Sequence, residues 1–113
     1  MEKLQIFQVL ECNKVLYKIL EQRMTISVSI GLKINRIMKL FDEVEEYVFT
    51  TMDMAFQEIN WENLTKEQND FYEKLISEQI ELEYNKIPTS FFEENDSLML
   101  TIEDIERLSI ILC

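Results

Sequence analysis

The chain has 113 residues, of which 47% are hydrophobic, with one glycine, one proline and no histidine. This composition argues against disorder and against a sandwich or barrel of many short strands, and it removes imidazole bases, imidazole metal ligands and glycine-rich phosphate loops. The net charge of −11 and the lack of an apolar run near 18 residues disfavour direct binding of nucleic acid and insertion into a membrane. We expect one domain spanning residues 1–113.

The first 22 residues predict a strand followed by a short helix. Residues 3–10, KLQIFQVL, are rich in β-branched and aromatic side chains, which favours a strand. Asn13 then stands where it can cap a helix that continues through residue 22. The apolar positions of this helix share one face: Val15, Leu16, Ile19 and Leu20.

Residues 30–56 carry the strongest periodic pattern in the chain and predict a long amphipathic helix. Apolar side chains recur there at steps of three and four, which keeps one stripe along a helix with 3.6 residues per turn. Leu40, Tyr47 and Met54 recur beside that stripe and are expected to widen the apolar face. The stripe consists of Ile30, Ile34, Ile37, Phe41, Val44, Val48, Met52 and Phe56.

The start of the long helix is ambiguous, because residues 23–31, RMTISVSIG, fit either an alternating strand or the first turns of the helix. We favour a helix that begins near Thr25, with Thr25 or Ser27 as its cap, and that ends around residues 57–60. Gly31 inside this helix predicts either the close approach of another backbone or a kink.

A third helix and a second strand follow a polar link. Thr65 and Gln68 form a capping box, after which apolar residues fall on one helix face. Residues 80–87 then alternate between apolar or long side chains and acidic or polar ones, which predicts a strand with one solvent-facing side. Because an isolated strand is unstable, we expect residues 80–87 to pair with residues 3–10.

The last quarter of the chain predicts a loop and a terminal helix. Residues 89–100 are expected to form a loop held by Phe91, Phe92 and Leu98, and Thr101 with Asp104 forms a second capping box. The terminal helix, residues 102–112, is expected to turn four apolar side chains inward: Ile102, Ile105, Leu108 and Leu112. The predicted fold class is α+β and mostly helical, with a long central helix packed by three shorter helices and a small two-stranded sheet of residues 3–10 with 80–87.

Carboxylates are the only abundant reactive groups. Asp42 lies three and four residues before Glu45 and Glu46, a spacing at which a divalent cation bridges carboxylates on a helix. Helical di-metal sites normally add a Glu-x-x-His motif, which a chain without histidine lacks, so we interpret this group as a solvated face. The acidic run 93–96 lacks the glycine and the terminal glutamate of a calcium loop. We expect no bound metal and no cofactor.

The two cysteines, Cys12 and Cys113, are too few for a disulfide framework and are expected to be reduced thiols. Lys14 stands near Cys12 and favours a lowered thiol pKa, but neither a base nor a partner cysteine accompanies it. We therefore predict that the protein is not an enzyme.

Charge is distributed unevenly along the chain. Residues 1–40 hold seven basic and three acidic side chains, a net charge of +4, whereas residues 41–113 hold four basic and 19 acidic ones, a net charge of −15. This balance favours a basic protein surface as a partner, although solubility alone is an equally good explanation.

The second half of the long helix has more aromatic and methionine side chains than one buried stripe can use. Phe49 and Met54 point away from Ile37 and Val44, and such a surplus is typical of a partner-binding surface as well as of a helix surrounded in a small core. We predict that the protein binds another protein or copies of itself. The candidate partner-binding residues are Asp42, Glu43, Glu45, Glu46, Phe49, Asp53 and Met54.

Two stretches in the second half, LISEQIELEYNKI at 75–87 and LTIEDIERLSIIL at 100–112, resemble the C-terminal half of a family of short tailed-bacteriophage proteins of unknown function. The order of predicted elements over residues 4–112 is also similar, but QEINWENL at 57–64 replaces the glycine-containing loop expected there. The resemblance implies a viral protein and supplies no catalytic residue.

The resemblance and the composition lead to two functional expectations. The first is a minor virion or assembly component that acts through protein contacts. The alternative is an acidic anti-defence inhibitor that mimics nucleic acid on a basic host protein, with residues 42–46, 62–83 and 93–106 supplying the charge. Since no signal peptide is visible, we expect the protein in the cytoplasm of a bacterial host or in the virion.

Overall fold

A computed structural model describes residues 1–95 and 97–113. The chain begins with strand β1, Glu2–Gln5, and continues directly into helix α1, Ile6–Glu21. The long helix α2, Val28–Ala55, returns beside α1. The remaining elements are α3 at Lys66–Ile76, β2 at Gln79–Leu82, α4 at Ser90–Glu94, α5 at Ile102–Leu108 and a 3-10 turn at Ser109–Ile111. The predicted fold class, α+β and mostly helical, is confirmed.

The sheet has two antiparallel strands, with Glu2 opposite Leu82 and Gln5 opposite Gln79. The predicted pairing of the N-terminal strand with the strand near residue 80 is therefore confirmed, with shorter strands than expected. Burial alternates beyond β2, since Tyr84 is more buried than its neighbours, but the ladder ends with the four residues of β1. Further along the chain, Ile87 forms an isolated parallel bridge with Leu112.

The prediction of a strand over all of residues 3–10 is wrong for residues 6–10, which form the first turns of α1. Gln5 ends the strand and begins the helix, because its backbone N–H donates to Gln8 Oε1 at 2.9 Å. Ile6, Val9 and Leu10 then fall on the buried face at helical spacing, so tertiary packing outweighs their strand propensity. Asn13 is consequently a buried residue in the middle of α1 and not its cap.

Helix α2 confirms the helical interpretation for residues 28–31, but it begins at Val28, three residues after the expected start near Thr25. Ser27 is the cap, accepting the Ile30 backbone N–H at 3.3 Å, so the second of the two candidate caps is the correct one. The helix ends at Ala55, two residues before the predicted end, because Phe56 takes an extended backbone and packs edge-to-face on Phe71 with ring centroids 5.4 Å apart. A Cβ at Gly31 would meet only the side chain of Ile26, so the expected backbone contact is absent.

The apolar stripe of α2 forms the centre of the core. Phe41 is fully buried and packs edge-to-face on Tyr84 with centroids 5.7 Å apart. Tyr47 and Met54 do not widen this buried face as predicted, since they are 48% and 84% exposed. The α2 residues with fully or nearly fully buried side chains are Ile37, Met38, Phe41, Val44, Val48 and Met52.

The C-terminal segment differs from the prediction in two respects. The expected loop 89–100 contains the short helix α4, although Asp96 lies outside the described residues. The predicted inward face of the terminal helix is confirmed for Leu108, which is buried, but it is wrong for Ile102 and Ile105, which are 79% and 53% exposed. Its inward positions are Asp104, Leu108 and Ile111, spaced by four and three residues. Asp104 lies inward because Lys18 of α1 pairs with its carboxylate there.

Candidate protein-binding surface

Three aromatic side chains from three parts of the chain stack beside the second half of α2. Phe49 of α2 packs edge-to-face on Trp61 of the α2–α3 link, with ring centroids 5.0 Å apart. Trp61 packs in turn on Tyr72 of α3, with centroids 5.8 Å apart. Phe49 and Trp61 remain 47% and 41% exposed. The rings therefore stabilise one another and still present apolar surface to solvent.

The α2–α3 link is held in place by local contacts. The Asn60 side chain accepts the Glu62 backbone N–H at 3.1 Å, and its backbone carbonyl accepts the Asn63 N–H at 2.9 Å. Gln68 is buried and donates through Nε2 to the Glu58 carbonyl at 2.7 Å, while its backbone N–H completes the capping box with Thr65. These bonds turn the chain between α2 and α3, so that Trp61 lies between Phe49 and Tyr72.

The stacked rings form one wall of a groove with a volume of about 370 Å³, which we call the aromatic groove. Helix α1 also lines the groove, through residues that include Phe7, which is 40% exposed. The lining is mostly apolar, with a few charged groups, as is typical of sites that bind a side chain or a peptide segment. The aromatic groove is lined by Phe7, Leu10, Glu11, Lys14, Glu45, Val48, Phe49, Trp61, Tyr72 and Ile76.

Negative charge dominates the electrostatics of the aromatic groove. Partial burial, together with the neighbouring carboxylate of Asp42, raises the pKa of Glu45 above its usual range. Burial, followed by the nearby carboxylates of Glu73, Glu11 and Glu45, raises the pKa of Tyr72. Among residues 1–95 and 97–113, no basic group forms an ion pair with Glu45. The nearby amide of Asn13 and the charge of Lys14 act on the pKa of Glu45 in the opposite direction, so a cation entering the groove would meet a carboxylate that feels a positive charge but has no ion-pair partner in the described part of the chain.

Asp42 belongs to a different contact, between α1 and α2. Its carboxylate accepts hydrogen bonds from Asn13 Nδ2 at 2.9 Å and from the Tyr17 hydroxyl at 2.8 and 2.9 Å. The hydrogen bond to Asp42 is also the main reason that the pKa of Tyr17 is raised. Asn13 is fully buried, and its Oδ1 has no partner in the described part of the chain. Asp42 thus acts within the fold, tying the two long helices together.

The structure divides the seven predicted partner-binding residues into three groups. Glu45 and Phe49 line the aromatic groove, whereas Asp42 is engaged with α1. The other four are exposed on α2: Glu43, Glu46, Asp53 and Met54. Sequence reasoning missed the other groove residues, including the three other aromatic side chains of the groove, Phe7, Trp61 and Tyr72. Trp61 carried a usable signal, since the only tryptophan of the chain stands in a polar link with no apolar pattern of its own to serve.

The thiols do not form a reactive site. The prediction that Lys14 favours a lowered pKa for Cys12 is wrong, because burial raises the pKa of this thiol to about 12. Cys113 is exposed at the other end of the chain. Within residues 1–95 and 97–113, no three acidic or cysteine side chains converge into a group that could hold a metal ion.

Comparison of the chain with protein-family models, with curated proteins and with solved structures finds no match. In the part of the chain that the structure describes, no helix combines the length and the apolar composition needed to span a bilayer.

Proposed function

We propose that this protein is a non-enzymatic, phage-encoded interaction protein that serves as a minor virion or assembly component by binding a partner protein at the aromatic groove. The observation that supports the proposal best is the partly exposed stack of Phe49, Trp61 and Tyr72 beside the unpaired carboxylate of Glu45. The phage origin rests on the resemblance of residues 75–87 and 100–112. Aromatic residues that are rigid and only half covered are enriched at the centres of protein interfaces.

The groove favours a partner segment that carries a basic side chain among apolar ones. An arginine or lysine stem would pack against the rings of Trp61 and Tyr72, and its charge would reach the carboxylate of Glu45. The net charge of −15 on residues 41–113 would attract such a segment from a distance. Lys14 at the rim is already drawn toward Glu11, with 4.0 Å between the charged atoms.

Affinity capture from the native host, read by mass spectrometry and then repeated with the purified partner, tests this proposal. We expect Phe49→Ala and Trp61→Ala to abolish capture of a partner that the unmodified protein retains. Glu45→Gln should weaken binding most at low salt, because it removes a groove carboxylate that forms no ion pair within the described residues. Met99→Ala is the matched control, since Met99 is an exposed apolar residue outside the groove. A partner retained equally by all these variants would contradict the proposal.

A second candidate is the acidic inhibitor that mimics nucleic acid. It is favoured by exposed carboxylates on α2 and α3 that form no ion pair within the described residues, among them Glu46, Asp53 and Asp70. Arg36 and Lys39 on the same helix weaken this reading, because they interrupt the acidic surface. Competition with DNA or RNA for a captured basic protein distinguishes the candidates: mimicry requires displacement of the nucleic acid and a steep loss of binding with salt.

A further inference from the structure

Helix α2 has a second exposed surface, which faces away from the core and from the aromatic groove. We call it the outer ridge. Its residues recur at helical spacing opposite the buried stripe, and all of them are exposed. It runs for about 40 Å, since each helical residue adds about 1.5 Å. The outer ridge consists of Val28, Leu32, Arg36, Lys39, Glu43, Glu46, Thr50 and Met54.

The charges along the outer ridge would match those of a second copy of the ridge that runs in the opposite direction. Lys39 and Glu43 are equally far from Phe41 in sequence, on opposite sides, and so are Arg36 and Glu46. The same symmetry relates the two apolar ends, Val28 and Met54, which are 79% and 84% exposed. The two basic residues precede the midpoint and the two acidic residues follow it.

None of these four charges is used inside the chain. In the described residues, Arg36, Lys39, Glu43 and Glu46 take part in no ion pair and no side-chain hydrogen bond. A uniformly basic partner would be repelled by one half of the ridge, and a uniformly acidic partner by the other half. The surface that fits must carry both signs in the reverse order.

We propose that two copies of the chain associate through the outer ridge, with the two α2 helices antiparallel and a two-fold axis at the level of Phe41. Two-fold symmetry makes every contact occur twice, so Lys39 meets Glu43 of the second copy, and Glu43 meets its Lys39. Arg36 and Glu46 pair in the same way, and the long side chains reach across the centre of the interface. Val28 of each copy meets Met54 of the other at the two ends.

The opposite orientation is excluded by the same charges. A parallel pair in register would place Arg36 against Arg36 and Glu46 against Glu46, so like charges would repel along the centre of the interface. Exposed ion pairs are individually weak, and salt screens both these pairs and the repulsion between two copies that each carry a net charge of −11, so charge variants compared at one ionic strength test the dimer more directly than a salt series. This inference does not rest on the proposed function, since the aromatic groove and the outer ridge share no residue.

Sedimentation equilibrium of the full chain tests the proposal. In about 0.15 M NaCl, where the repulsion between the two acidic copies is partly screened, we expect a concentration-dependent shift from monomer to dimer. Lys39→Glu and Glu43→Lys should each abolish the dimer, since either change places like charges opposite each other. The double variant with both substitutions should restore it, because the pair is rebuilt with its signs exchanged.

Two controls make the outcome specific. Lys66→Glu changes the net charge as much as Lys39→Glu but lies on α3, so it should leave the dimer intact. Trp61→Ala should also leave it intact, which separates this inference from the groove proposal. Far-UV circular dichroism shows whether each variant is folded. A chain that stays monomeric at about 0.15 M NaCl, a dimer that tolerates Lys39→Glu, or a double variant that fails to recover the dimer would each overturn the proposal.

Discussion

Two regions attach to the pair of long helices by different means. The C-terminal segment is joined to α1 by polar contacts: Lys18 pairs with Asp104, and Arg107 Nε lies 2.8 Å from Glu11 Oε2. It also inserts fully or nearly fully buried apolar side chains, including Leu108. The α3 corner, comprising the α2–α3 link and α3, is joined to α2 mainly by aromatic rings that stay partly exposed, Trp61 among them.

The difference between the polar contacts of the C-terminal segment and the aromatic contacts of the α3 corner indicates which region can still bind a partner. Polar groups of the C-terminal segment are paired within the fold. The Tyr84 hydroxyl donates to the Ile110 carbonyl at 2.7 Å, and Ile87 exchanges backbone hydrogen bonds with Ile111 and Cys113. Donors and acceptors that are already paired within the fold gain little free energy from binding a partner. Aromatic stacking satisfies the rings only in part, so the α3 corner retains surface that gains free energy when it is covered.

The largest expected effect is the loss of stability when a buried side chain of the C-terminal segment is truncated, compared with truncation of an exposed ring of the α3 corner. Leu108→Ala should lower the free energy of unfolding by about 2–5 kcal/mol, since it empties a packed site. Trp61→Ala should lower it by only about 1–2 kcal/mol, because it removes two edge-to-face contacts from a half-exposed ring. Urea denaturation followed by far-UV circular dichroism measures both values. Equal losses would mean that Trp61 is a core residue and that the aromatic groove is not available for binding.

The next effect concerns pH and should be confined to the C-terminal segment. The hydrogen bond from Lys18, followed by that from the Thr101 backbone, lowers the pKa of Asp104 in the folded state. A lowered folded pKa adds stability above the unfolded value, and that stability is lost as pH falls through the folded value. The difference in unfolding free energy between the unmodified protein and Asp104→Asn should therefore be largest above about pH 5 and shrink toward about pH 3. Urea midpoints over this range test it, and a constant difference would contradict it.

Local signals explain what the sequence predicts well. Three predictions depend only on residues close together in sequence, and all three are confirmed: the three- and four-residue spacing of α2 and the capping boxes at Thr65 and Thr101. The strand prediction is wrong for residues 6–10 because a β-branched composition suits both a strand and a buried helix face, and the packing of α1 against α2 decides between them. The inward face of α5 depends on Lys18, a residue far away in sequence.

The candidate site is less predictable than the fold for a related reason. Glu45 and Phe49 belong to one periodic pattern, so sequence reasoning finds them. Phe7 and Trp61 reach the groove only through the path of α1 and the turn between α2 and α3. No local pattern encodes that convergence.

A smaller effect concerns the pair of helices, α1 and α2, on which both regions pack. Arg23, directly after the last turn of α1, has a φ of 50°, a left-handed conformation that costs a non-glycine residue free energy. Arg23→Gly should therefore raise the free energy of unfolding by about 1 kcal/mol. Since the α3 corner and the C-terminal segment both rest on this helix pair, Trp61 fluorescence and far-UV circular dichroism should report the same shift. A shift in only one signal would show that the regions unfold separately.

The smallest effect concerns Gly31 in the second turn of α2. Glycine within a helix costs about 0.5–1 kcal/mol relative to alanine, and the added Cβ would lie 3.4 Å from Ile26 Cδ1, the mobile end of a side chain. Gly31→Ala should accordingly raise the urea midpoint slightly for both regions, by less than Arg23→Gly. A lower urea midpoint for Gly31→Ala would contradict this expectation, because it would mean that the Ile26 side chain cannot yield to the added Cβ. The sign of the change therefore shows whether α2 has room for a side chain at this position.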